Sequence, residues 1–225
     1  MRNDDYWLPL GKIELGDTSR IKAWLSTVKD NVWKLGQHPV RTAALTDMEL
    51  NTVKEKEPLV IAGVHAQGMP DAGAPSIYSI RYGLNSAVPH WIFRGPGLIP
   101  LFDDWAGIHK QITDLVGPCD FDYPSLIYSY SHVFKHRDRR LAALNVGLFN
   151  SEKSTNVYWE GREILAWHNT DDSMAYLLRV HDTDHSLIQD DSVGGMMWPR
   201  AVLTWDVSTL YQDIVKGFKE KGMTF

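Results

Sequence analysis

Cysteine is nearly absent. Cys119 stands alone in 225 residues, which excludes an intrachain disulfide framework and a cysteine-built zinc site. Positive charge is not in excess either: 23 basic residues face 28 acidic ones, a formal net charge of −5. That balance argues against a chain whose main task is to grip phosphate backbones, although it is compatible with a local basic patch. No apolar run approaches the ~18 residues that span a bilayer. The first ten residues include Asp4 and Asp5 and lack the cationic stretch and apolar core of a signal peptide. The expectation is a soluble, cytoplasmic chain in a reducing compartment. Internal repeats, low-complexity tracts and a clear domain boundary are also missing.

What is present is aromatic. Nine tryptophans and nine tyrosines sit in a chain that is 44% hydrophobic and 23% charged. The composition is that of a globular protein, and the rings supply rigid walls whose polar tips need partners. Asp17 or Thr18 caps a helix on which Ile21, Trp24, Leu25, Val28 and Val32 recur at helical spacing, with Gly36 closing it. A second helix is expected from Asp103 and Asp104 through Trp105, Ile108, Ile112 and Leu115 to Gly117. A third follows Ser208, with Leu210, Ile214 and Phe218 on one face and Gly222 after it. These apolar faces are expected to lie against a sheet.

The remainder reads as strands, over 58–64, 76–82, 125–134, 141–149, 156–159, 174–180, 186–189 and 201–207. Short strands with intervening turns after residue 120 favour an antiparallel sandwich or barrel over βαβ units. The segment 83–100, with Trp91 and Phe93, reads as a long loop or partial lid. The organisation expected is one domain, mainly β with flanking helices. Residues 1–120 form a helical and strand buttress with the lid loop, 121–208 the core, and 209–225 a C-terminal helix.

Of the nine histidines, His136 alone has a carboxylate two residues downstream, Asp138. The strand 125–134 places Leu126, Tyr128, Tyr130, His132 and Phe134 on one face, and His136 and Asp138 continue that parity if the strand runs on. His185 opens a later strand, and Arg200 heads Ala201-Val202-Leu203-Thr204-Trp205. Two imidazoles and one carboxylate on one face of a metal leave three positions open, the arrangement of non-haem Fe(II) oxygenases. An arginine on a neighbouring strand offers a planar fork for a carboxylate.

The run His136-x-Asp138, Leu144-Asn145-x-x-Leu148, His185-Ser186-Leu187 and Arg200 before an apolar strand resembles the Fe(II)/2-oxoglutarate-dependent dioxygenases. The likeness is to the small bacterial and viral type related to prolyl and aspartyl hydroxylases, and it covers roughly 122–207. It implies a double-stranded β-helix, a jelly-roll or cupin-like barrel with buttressing helices. It implies Fe(II) held by His136, Asp138 and His185, and 2-oxoglutarate held at its distal carboxylate by Arg200. Tyr128, Tyr130 and Asn145 would add hydrogen bonds to the co-substrate. Family members often carry serine or threonine two residues after the arginine; here Val202 stands there, so Thr204 or a tyrosine becomes the second partner of that carboxylate.

By the same resemblance, the chemistry is hydroxylation of a C–H bond with O2, yielding succinate and CO2, and the carboxylate of Asp138 favours hydroxylation over halogenation. A free amino acid or a protein or peptide side chain suits the net acidity best as substrate. Trp91, Phe93, Trp159, Trp167 and the run Arg137, Arg139, Arg140 are candidates for the mouth. Neither nucleic acid nor a membrane is an expected partner.

Other readings of the same residues stay open. His136 and Asp138 also fit a salt-bridged surface turn, His181 competes with His185, Arg200 can pair with Asp206, and His132 suits the core or a substrate contact. Nucleobase oxidation, a cupin-like metal protein that does not use 2-oxoglutarate, and a non-catalytic jelly-roll module are the alternative functions.

Overall fold

The computed structural model describes residues 3–25, 77–82, 89–94, 96–129, 133–189 and 200–223; side chains at 77–82, 89–94, 96–97, 129, 133–136, 153 and 188–189 are outside the description. The expected strand 58–64 and the residues Val28, Val32, Gly36, Tyr130 and His132 therefore lie outside the described residues.

Local chemistry starts and stops the helices. Asp17 accepts hydrogen bonds from the Ser19 amide and hydroxyl, both at 2.8 Å, just ahead of helix α1 over 19–25. Asp104 caps α2 (Trp105–Val116) by accepting from the Gly107 amide at 2.9 Å, and Gly117 ends it. Helix α3 is Tyr211–Glu220, and its buried residues Tyr211, Ile214, Val215 and Phe218 recur at helical spacing.

The strands are β1 (Trp7–Lys12), β2 (Ile77–Tyr82), β3 (Pro89–Arg94), β4 (Ser125–Ser129), β5 (Val133–His136), β6 (Ala142–Phe149), β7 (Ser154–Glu160), β8 (Glu163–Asn169), β9 (Met174–Leu178), β10 (Asp184–Gln189) and β11 (Arg200–Val207). They form two sheets, one in the order β1-β9-β6-β11-β4-β3-β2 and one in the order β5-β10-β7-β8. Every ladder between these strands is antiparallel.

This corrects the expected double-stranded β-helix barrel. Seven strands and four strands make two open sheets in a mixed α/β fold, and no ladder among the described residues joins one sheet to the other. Side chains make the connection instead: His168 of β8 stacks on Trp7 of β1 at 4.5 Å and on Tyr176 of β9 at 5.0 Å. Two local expectations fall as well. The stretch 125–134 is not one strand but β4 in the large sheet and β5 in the small one, so its residues do not share a single face. The loop 83–100 contains β3, paired with both β2 and β4.

The central strands β6 and β11 are buried on both faces, which is why they read as near-continuous apolar runs. One face of the large sheet carries Leu144, Val146, Leu148, Ala201, Leu203, Trp205 and Val207 into a core shared with all three described helices. Trp105 of α2 stacks on Trp205 at 6.0 Å with the rings 5° from parallel. The other face carries Ala143, Tyr176, Leu178 and Val180 with Trp7, and by register also Asn145, Arg200, Val202, Thr204 and Asp206. It looks onto the small sheet, so polar groups are enclosed between the layers.

Two glycines matter to this layer. Gly161, at φ 57°, makes the tight β7–β8 turn that sets His168 opposite Asn156. Gly147 bridges Asp172 and accepts from the Ser173 amide at 2.7 Å, and a Cβ added there would collide with the Asp171 carbonyl. Gly147→Ala is expected to destabilise the fold by ~1–3 kcal/mol, the usual cost of overpacking, measured by urea unfolding.

Candidate functional site

At the end of β5 the backbone of His136 pairs with that of His185 on β10, which in turn pairs with Tyr158 on β7. Two residues beyond β5, the Asp138 amide donates to the Val180 carbonyl at 2.9 Å, which ties the segment to the chain just after β9. His185 Nδ1 lies 3.2 Å from the Thr183 carbonyl. Donation to that carbonyl leaves the lone pair on Nε2, the orientation a metal-ligating imidazole needs. Nε2 lies 3.8 Å from Asp138 Oδ2, and both side chains are 14% exposed.

Asp138 is also gripped from the side. Arg140 Nε donates to Asp138 Oδ2 at 2.9 Å and Nη2 donates to the same oxygen. The remaining arm, Nη1, donates to Thr204 Oγ1 at 2.9 Å and to Asp206 Oδ1 at 3.2 Å. Burial by itself would lower the Arg140 pKa; the carboxylates of Asp138 and Asp206 outweigh it and raise the value above its ordinary level. Its neighbour Arg137, by contrast, pairs with Asp184 at 2.7 Å while itself 54% exposed, a surface contact of little energetic weight.

Arg200 lies on the same face of β11 as Thr204, is 4% exposed, and its Nε has no hydrogen-bond partner among the described residues. Burial pulls its pKa down to about 10, which still leaves it a cation at neutral pH. Asn145 Oδ1, His168 Nδ1 and Tyr158 Oη are likewise buried and without a partner among the described residues. Such groups cost free energy unless something satisfies them.

His168 is 4% exposed and enclosed by the rings of Trp7, Tyr158 and Tyr176. Burial, helped by the Arg200 charge, lowers its pKa to about 3, so it is neutral at pH 7.

Two sequence-derived candidates thus meet, and others share only a register or a face. Asp138 and His185 meet, His136 stands beside His185 in register, and Arg200, Asn145 and Thr204 share the enclosed face; the imidazole of His136 is outside the described atoms. Tyr128 does not join them. It packs against Phe149 at 6.1 Å in the helix-side core, on the face of the large sheet opposite Arg200. Thr204 accepts from Arg140 rather than standing beside Arg200, and Asp206 pairs with Arg140 rather than Arg200. His181 is exposed. Trp167, 63% exposed, lies on the face of β8 away from His168.

Sequence reasoning placed Arg140 only among the mouth candidates and Asp206 only as a partner for Arg200, and it passed over His168, Tyr158 and Tyr176. Arg140 was hidden in a basic run. For the others, inward strand parity was the only available signal, and it required strand boundaries that the sequence obscures.

Among the described residues, no group of three or more His, Cys, Asp or Glu gathers at metal-holding distance. No described helix is long and apolar enough to cross a membrane. A separate surface groove of about 460 Å³, lined by Asp4, Arg179, Tyr211, Gln212 and Lys219 among others, includes none of the site residues.

No protein-family model matches the chain, and no curated protein matches it. Among solved structures, a Pseudomonas putida prolyl-4-hydroxylase shares 8% identity over 90% of this chain and 92% of its own, with a TM-score of 0.38. A non-heme monooxygenase, solved as the ThoJ–nickel complex, shares 10% identity over 89% of this chain and 73% of its own, with a TM-score of 0.40. The chain is distantly similar to these two oxygenases. Neither likeness assigns a role to a residue here.

The buried histidine yields a test. The unfolded chain protonates His168 near 6.5 and the folded chain only near about 3, so stability is lost as pH falls through that window. His168→Phe keeps a stacking ring and removes the titration. Between pH 6 and 4, urea unfolding should show the unsubstituted protein losing roughly 1 kcal/mol more per pH unit than the variant. The carboxylates titrate in both, so the difference isolates His168.

Proposed function

We propose that this chain is an Fe(II)- and 2-oxoglutarate-dependent oxygenase that hydroxylates a C–H bond of an amino acid or protein side chain, releasing succinate and CO2. The observation that carries the reading is the approach of Asp138 to His185 at 3.8 Å, where the backbones of His185 and His136 pair. Arg200 is buried on the facing sheet with Nε unpartnered among the described residues.

The residues fit the group they would hold. A carboxylate and neutral imidazoles are the donors a non-haem iron takes while keeping positions open, and the Thr183 carbonyl orients one imidazole for the task. His136, Asp138 and His185 would hold the metal. Arg200, a buried cation with no carboxylate offsetting its burial among the described residues, would take the distal carboxylate of 2-oxoglutarate, and Asn145 and Thr204 line the same face. Bound together, the metal, 2-oxoglutarate and O2 supply the oxidising power for the C–H bond.

The chain's own contribution is positioning and exclusion of water. The Trp7, His168, Tyr176 and Tyr158 rings wall one side of the layer. Uncharged at pH 7, His168 adds no second cation beside Arg200. The acidic net charge supports an amino acid or peptide over nucleic acid as substrate.

The direct test is succinate formation from 2-oxoglutarate by Fe(II)-loaded protein across panels of amino acids, peptides and nucleosides. Substrate-dependent succinate is expected from the first two panels. Asp138→Ala and His185→Ala should abolish it. Arg200→Ala should raise the KM for 2-oxoglutarate by about 10–100-fold, the worth of a charge-assisted bidentate contact, while metal binding persists. Turnover on nucleosides alone would point to nucleobase oxidation. Metal-dependent turnover indifferent to 2-oxoglutarate and to Arg200→Ala would point to a different metal chemistry. Failure to bind metal, with no 2-oxoglutarate shift in thermal unfolding, would leave a non-catalytic module.

A further inference from the structure

We propose that Arg140 is the positioning residue of the metal-binding carboxylate, and that Asp206 and Thr204 act on the metal site through it. The inference rests on the reading of Asp138 as a metal ligand.

Asp138 sits in a connecting segment, where a carboxylate is free to rotate unless something holds it. Two donors of one planar guanidinium, Nε at 2.9 Å and Nη2, converge on its Oδ2. Both come from a rigid fork, so they set the plane of the carboxylate as well as its place. The fork is itself anchored: Nη1 reaches Thr204 Oγ1 at 2.9 Å and Asp206 Oδ1 at 3.2 Å. Thr204 and Asp206 belong to β11, the strand buried on both faces at the centre of the large sheet. Arg140 therefore ties a carboxylate in the segment that leaves the opposite sheet to a buried central strand.

The three side chains are mostly enclosed, with exposures of 14% for Asp138, 24% for Arg140 and 9% for Asp206. Water screens such contacts less than surface pairs. Asp206 has a second effect. By sharing the guanidinium it draws positive charge away from Asp138, which keeps that carboxylate a better donor to a cation.

Arg140→Lys separates position from charge, because the charge stays and the fork is lost. The readout is the affinity of the full chain for Mn(II) or Co(II) by titration calorimetry, together with the visible absorption of the Co(II) site. Arg140→Lys is expected to weaken metal binding about 10–100-fold, the usual effect of removing an outer-shell partner, and to alter the Co(II) spectrum. Asp206→Asn is expected to weaken binding in the natural sequence and to add nothing in the Arg140→Lys background, since it acts through the guanidinium.

An unchanged affinity and spectrum in Arg140→Lys, even with lowered stability, would overturn the inference and leave the proposed function standing. Effects of the two substitutions that simply add would overturn it too. If Arg140→Lys does not fold, Asp206→Asn decides alone: weakened binding supports the inference and unchanged binding overturns it. A natural protein that binds neither metal overturns this inference and the proposed function together.

Discussion

Strand β11 is covered on both sides, and this constraint shapes the rest of the molecule. Its outward residues, Ala201, Leu203, Trp205 and Val207, complete a hydrophobic core with the helices. Its inward residues, Arg200, Thr204 and Asp206, lie in a layer from which the small sheet excludes most water. A buried polar group is costly without a partner. Every polar residue on that face must then be answered by another side chain or by a ligand.

At one end of β11 the answer is internal. Arg140 reaches over from the segment after β5 and satisfies Asp206, Thr204 and Asp138 at once. At the other end Arg200 has no carboxylate offsetting its burial among the described residues, and Nε is left without a partner. His168, enclosed by aromatic rings, cannot add charge near neutrality. One arginine is answered by carboxylates; under the proposed function the other receives an anion. That division of labour separates this face from an ordinary sandwich interior.

Much of this arrangement was legible along the chain. The apolar face of α2, Ile214 and Phe218 on α3, the strands β6 and β11, and the spacing of His136, Asp138, His185 and Arg200 come from local patterns, which report the residues that share a face; Leu210, expected on that face of α3, is its exposed N-cap. They do not report the sheet a strand joins. The run 125–134 reads as one strand, yet it divides between two sheets, and Tyr128 turns toward Phe149 and the helices. Strand β8 was missed because Glu163 and an exposed Trp167 blur its alternation, and β3 because it was taken into a loop. Arg140 stands among Lys135, Arg137 and Arg139, and nothing in that composition separates a buried arginine from exposed ones.

Sequence alone determined the helical faces, the doubly buried strands and the kinds of chemical groups available, because side-chain periodicity and polarity are properties of neighbours a few residues apart. Tertiary structure decided the rest: two open sheets rather than a closed barrel, Asp138 beside His185, and Arg140 paired inward while Arg200 keeps a nitrogen unsatisfied among the described residues. Those outcomes depend on ladders and ion pairs between residues as far apart as Asp138 and His185 or Arg140 and Asp206. The free energy of such contacts exists only once both layers have closed over them.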